Sequence, residues 1–98
     1  MMIFHGEIEL YEAVEQNDFD EVKRLLDLGA NPNTDDNDST SVLMIACIEG
    51  YFEIAELLID RGADVNAKDE DGNTALYFAT LEENEDLIEL LRANGATE

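Results

Sequence analysis

Gly29, Gly62 and Gly95 stand at a constant separation of 33 residues, and Leu25, Leu58 and Leu91 keep the same separation. The segments around them read EVKRLLDLGANPN over 21–33, IAELLIDRGADVN over 54–66 and LIELLRANGATE over 87–98. A fixed period of this length restricts the chain to a stack of like units. Each unit cannot bury its apolar face alone, so its neighbour must cover it.

Within each unit the apolar spacing predicts two helices. In the first unit Ile8, Leu10, Tyr11, Ala13 and Val14 recur at helical intervals over 7–17, and Val22, Leu25 and Leu26 line one face over 19–28. Asp18 is placed to cap the second helix, and Gly29 to end it in the left-handed conformation. The same plan predicts helices over 41–49 and 52–61, then over 74–81 and 85–93. The segment 52–61 is apolar on nearly every side, which marks a helix with neighbours on both sides. The outer units are more polar, as the ends of a stack require, and Ile3 and Phe4 either cover its open end or belong to a segment that frays. Three units are about the minimum that buries a continuous core, so the chain reads as one domain over 1–98. Its repeats fall at about 6–38, 39–71 and 72–98.

Charge narrows the function more than the fold. Five Lys plus Arg against 25 Asp plus Glu give a net charge of -20. Such a chain repels nucleic acid and anionic membrane, and it favours a basic partner. The single cysteine, Cys47, permits no internal disulfide and fits a reducing compartment. No apolar run approaches the ~18 residues of a membrane span, and the N-terminus lacks a signal-peptide pattern. The expectation is a cytoplasmic protein, monomeric when free.

The chemistry-bearing residues give no catalytic or metal constellation. Asp69, Asp71 and Gly72 fit three positions of a calcium loop, but Ala67 and Phe78 would then stand where carboxylate ligands are needed. Asp36 and Asp38 fail in the same way, with Thr34 and Ile45 at the ends. His5 has no partner at a readable spacing, and Cys47 sits among apolar residues that make a thiol inert. No nucleophile–base pair, zinc spacing or phosphate-binding glycine loop is present. The expectation is no enzyme, no metal and no cofactor.

Two stretches carry a family resemblance. Residues 71–79, DGNTALYFA, follow the pattern D-G-x-T-P-L-H-x-A, and 62–67, GADVNA, matches the turn that follows the second helix. Residues 38–46 and 5–13 are looser copies. The chain resembles the ankyrin-repeat family from about residue 6 to residue 96. The resemblance implies an all-α solenoid of three helix–turn–helix units with projecting β-turn loops. The family's proline at the helix start is replaced by Glu9, Val42 and Ala75, and its histidine by Tyr11, Met44 and Tyr77. A tyrosine hydroxyl can stand in for the link that histidine makes from helix start to turn; Met44 cannot donate it. The turn at 33–40 is therefore expected to be the most mobile.

The resemblance also implies non-catalytic protein binding through a concave face of turn tips and first helices. Lys23, Arg24, Arg61 and Arg92 fall in the second helices, whereas most uncompensated acids, Glu12 among them, fall on the binding side. Asp and Asn also suit turns for purely local reasons. The candidate contacts are Glu15, Asp35, Asn37, Asp38, Ile48, Glu49, Lys68, Glu70, Asp71, Asn73, Leu81 and Glu82. Ile48 and Leu81 are either apolar anchors ringed by acids or side chains tucked under the next unit. The expected partner is a protein with a basic surface, blocked stoichiometrically as by an inhibitor or immunity protein. The alternatives are an adaptor whose acidity only gives solubility, and a nucleic-acid mimic that fills a DNA-binding cleft.

Overall fold

A computed structural model describes residues 6–97. It contains α1 (Gly6–Glu15), α2 (Phe19–Asp27), α3 (Val42–Glu49), α4 (Phe52–Asp60), α5 (Ala75–Leu81) and α6 (Glu85–Ala93). No strand occurs among the described residues; a single antiparallel bridge joins Asp35 to Ser41. His5, Ile3 and Phe4 lie outside the described residues.

The helices begin where side chains can accept from free backbone N–H groups. Asp18 accepts from the Glu21 N–H at 3.2 Å, Ser41 Oγ from Met44 at 3.1 Å, Thr74 Oγ1 from Tyr77 at 3.2 Å and Asn84 from Leu87 at 3.1 Å. Ser41 and Thr74 are thus caps rather than first helical residues, which places the starts of α3 and α5 one residue later than the apolar pattern suggests. α1 ends at Glu15, earlier than expected, because Asn17 turns left-handed with φ 57°. That break recurs at Gly50 (φ 80°) and Glu83 (φ 57°), each one period on. Backbone geometry keeps the repeat even where the residue type does not.

Helices stack in two layers. In the first layer α3 packs between α1 and α5; in the second, α4 packs between α2 and α6. The core runs through both in register. Leu10, Leu43 and Leu76 form one buried row, Ala13, Ala46 and Ala79 a second, and Leu25, Leu58 and Leu91 a third. Each row occupies the same place in its unit, so small residues meet small and large meet large along the stack. α4 is less enclosed than its composition suggests. Ile54, Ala55 and Leu58 are buried, whereas Phe52, Leu57 and Ile59 are only half-buried. They flank the buried stripe, Phe52 and Ile59 on one side and Leu57 on the other, and pack against the edge of the core, while Glu53, Glu56 and Asp60 take the outward side.

Successive units are joined on the turn side by a repeated amide bridge. Asn33 Nδ2 donates to the Gly62 carbonyl at 3.2 Å, and the Asp64 N–H donates to Asn33 Oδ1 at 2.6 Å. One period later Asn66 Nδ2 donates to the Gly95 carbonyl at 3.0 Å, and the Thr97 N–H donates to Asn66 Oδ1 at 3.1 Å. Gly62 and Gly95 are left-handed, with φ 103° and 99°. A Cβ added to either would meet nothing within 4 Å, so backbone conformation rather than crowding selects glycine there.

Candidate partner-binding face

The projecting turns are built around two aspartates one period apart. Asp36 Oδ1 accepts from the N–H groups of Asp38 and Thr40, both at 2.9 Å. Asp69 Oδ1 accepts from Asp71 and Asn73, also at 2.9 Å. These carboxylates organise their own backbone, which is what a short acidic side chain does in a turn. The Glu70 N–H then donates to the Asp38 carbonyl at 2.9 Å, so the two turn tips are tied edge to edge.

Asp36 has a further partner. The Tyr11 hydroxyl donates to Asp36 Oδ2 at 2.9 Å, joining α1 to the projecting turn that ends the first unit. The bond from Thr40, then that from Tyr11, holds the Asp36 carboxyl below the usual carboxylate range. Burial, reinforced by Asp36, pushes the Tyr11 hydroxyl well above the ordinary tyrosine value. Tyr11 thus makes the helix-to-turn link that the sequence left to it. Met44, one period on, serves differently: its sulfur accepts from the Ser41 N–H at 3.4 Å and completes the α3 cap. The turn at 33–40 is held at both oxygens of Asp36 despite the missing donor at Met44.

Between α1 and this turn lies a groove of about 520 Å³, lined by Glu7, Ile8, Tyr11, Glu12, Glu15, Asn31, Asn33, Thr34, Asp35 and Asp36. Of the expected contacts, only Glu15 and Asp35 line it. Asn37, Asp38, Glu70 and Asp71 are exposed at the linked turn tips, with Lys68 exposed just before the second tip. Asn73 is half-buried, its N–H and carbonyl both engaged by Asp69. Glu49 and Glu82 are exposed at the ends of the first-layer helices α3 and α5. Ile48 and Leu81 part company: Ile48 is half-buried, but Leu81 is 59% exposed. Near Leu81 in sequence, Tyr77 is 42% exposed and stacks edge-on against Phe78 with ring centroids 5.3 Å apart.

Ile8, 69% exposed at the groove, was missed by sequence reasoning, as was the exposure of Tyr77. Ile8 falls on the apolar period of α1 and reads as core. It stands at the position of the Ser41 and Thr74 caps, which are buried in their units, yet in α1 that position lies inside the helix and faces out.

The cations lie elsewhere. Arg24 pairs with Glu21 through two bonds, at 2.9 and 2.6 Å. Asp27 receives Lys23 at 3.2 Å and Arg61 at 2.8 Å. All these residues belong to the second layer, and Asp27–Arg61 joins its first two units. Among the described residues no groove carboxylate makes an ion pair. Cys47 is fully buried, and burial pushes its thiol up to about 12, so it is chemically inert at neutral pH. No group of three or more metal-ligating side chains converges among the described residues, and no helix there is long and apolar enough to cross a membrane.

Comparison with curated proteins finds no match. The family described as Ankyrin repeats (3 copies) matches residues 10–97, nearly the whole chain. The evenly spaced left-handed breaks, the two-layer stack and the amide bridges between turns are the structural counterpart of that match. The chain belongs to the ankyrin-repeat family, whose stacks are protein–protein interaction modules and typically non-catalytic.

Proposed function

We propose that the chain binds a basic protein surface through its turn tips and first-layer helices and blocks that surface stoichiometrically, as an inhibitor or immunity protein does. The observation that carries this reading is the segregation of charge. Lys23, Arg24 and Arg61 are engaged with acids of the second layer, leaving the groove and turn-tip carboxylates without cationic partners among the described residues. Acids of the second layer such as Glu53, Asp60 and Glu89 are unpaired too among the described residues. Four of the five Lys and Arg residues lie in that layer, however, so in a chain of net charge -20 the field is strongest over the turns and first layer and steers a basic partner to that side. Nothing basic on the first layer other than Lys68 opposes it.

The test is a capture experiment from lysate at low and high salt. Wild-type protein is compared with a variant carrying Asp35→Asn, Asp38→Asn, Glu70→Gln and Asp71→Asn. Salt-sensitive capture that the variant loses supports the reading. Capture indifferent to salt and to the four changes points instead to an adaptor whose acidity serves solubility. Competition of the captured partner by duplex DNA identifies a nucleic-acid mimic.

A further inference from the structure

The groove acids do not repeat. One period beyond Glu7, Glu12 and Glu15 stand Thr40, Ile45 and Ile48, and one period further stand Asn73, Phe78 and Leu81. Asp35 is followed by Lys68, the one cation of the projecting turns. Asp36 alone keeps its charge, as Asp69, and both of these carboxylates are occupied in holding turn backbone. Among the acids that line the groove, the one that holds turn backbone is thus repeated, whereas Glu7, Glu12, Glu15 and Asp35 have no acidic equivalent in the later units.

Equivalent positions in a stack of like units share a face. Positions 12 and 15 of α1 face the groove, so positions 45 and 48 of α3 and 78 and 81 of α5 continue the same surface. Along that surface the character changes from anionic over α1, through half-buried Ile45 and Ile48, to exposed Tyr77 and Leu81 over α5. Glu49 and Glu82 stay acidic, but their equivalent, Gln16, does not line the groove.

Building on the proposed binding of a basic partner, we infer that the partner contributes a segment of fixed polarity. A lysine or arginine lies over the α1 groove, and an apolar side chain lies against Tyr77 and Leu81. Packed helices sit about 8–10 Å apart, so two steps along the layer span about 16–20 Å. An extended chain advances about 3.3 Å per residue, which puts the basic and apolar ends about five or six positions apart. Lys68 enforces the order by repelling a cation displaced toward the second unit.

Synthetic peptides test this directly. One carries two arginines and two leucines separated by about five glycine and serine residues. A second has the same composition with arginines and leucines adjacent, and a third replaces the leucines of the first by serine; each is made in both chain directions. The spaced peptide in one direction is expected to bind about tenfold more tightly than the other two, the contribution of one well-buried apolar contact. Leu81→Ser removes that advantage and leaves the salt dependence intact. Glu12→Gln with Glu15→Gln flattens the salt dependence and preserves the preference for leucine. All three positions are exposed, and circular dichroism confirms that the variants keep their helices. Equal affinity for the spaced and adjacent peptides overturns the inference while salt-sensitive lysate capture still supports a basic partner. No measurable binding of any peptide, together with salt-insensitive capture, overturns both.

Discussion

Asn33 and Asn66, one period apart, make the same pair of hydrogen bonds to the unit that follows, each donating to a left-handed glycine and accepting from the backbone two residues beyond it. Each amide satisfies the carbonyl of the glycine just past the helix cap. The turn of one repeat is thereby fixed to the helix end of the next by polar contacts, while the core rows join them by burial.

Replacing Asn33 by Ala removes both bonds at the junction of the first two units. Urea denaturation should show a loss of about 1–2 kcal/mol, with Asn33→Asp recovering only the acceptor half. An unchanged midpoint for Asn33→Ala would show that water replaces the amide without penalty.

Leu58 is fully buried on α4, which packs against α2, α3 and α6. Leu58→Ala is expected to destabilise by about 2–5 kcal/mol, more than Leu25→Ala or Leu91→Ala at the equivalent positions. The outer units can relax toward solvent on one side, whereas the middle unit has structure on both. Equal losses at the three sites would mean that the stack adjusts equally everywhere.

Ser39 and Glu83 hold positive φ, 62° and 57°, at positions where the equivalent residues are Gly72 and Gly50. A side chain in the left-handed region costs about 1–2 kcal/mol, and glycine returns part of that through its greater freedom when unfolded. Ser39→Gly and Glu83→Asn should each raise the thermal midpoint, corresponding to about 0.5–1 kcal/mol. A lowered midpoint for both would mean that their side chains make contacts worth more than the backbone strain.

Acid should unlatch α1 from the turn. The Asp36 carboxyl is held below the usual range by its three partners, so its contribution to stability is complete above its unfolded value, near pH 4, and is lost as pH falls through the lower folded value. Asp36→Asn should therefore lose less stability than wild type between about pH 5 and pH 2.5 in denaturant titrations. Parallel curves for the two proteins would remove Asp36 from the acid response.

Much of the architecture was legible because the glycine and leucine period, the caps at Asp18 and the breaks near residues 17, 50 and 83 are local signals. The binding face was less so. Asp35 and Asp36 look alike in sequence and both line the groove, but only Asp36 is taken up in organising its own turn. Ile48 and Leu81 occupy equivalent positions, yet the first is half-buried and the second is 59% exposed. Pattern reports the position within a unit; exposure depends on what lies beyond that unit.

The ties between units are lopsided. Amide bridges fasten the turn edge at both junctions, while on the second layer Asp27 reaches Arg61 only at the first, its equivalents at the other being Asp60 and Asn94. Bending should therefore act like a hinged cover, pivoting on the turn edge and gaping along the back, with the α4–α6 seam yielding before the α2–α4 seam. Such compliance would let the apolar end of the concave face adjust its curvature while the acidic end holds its shape.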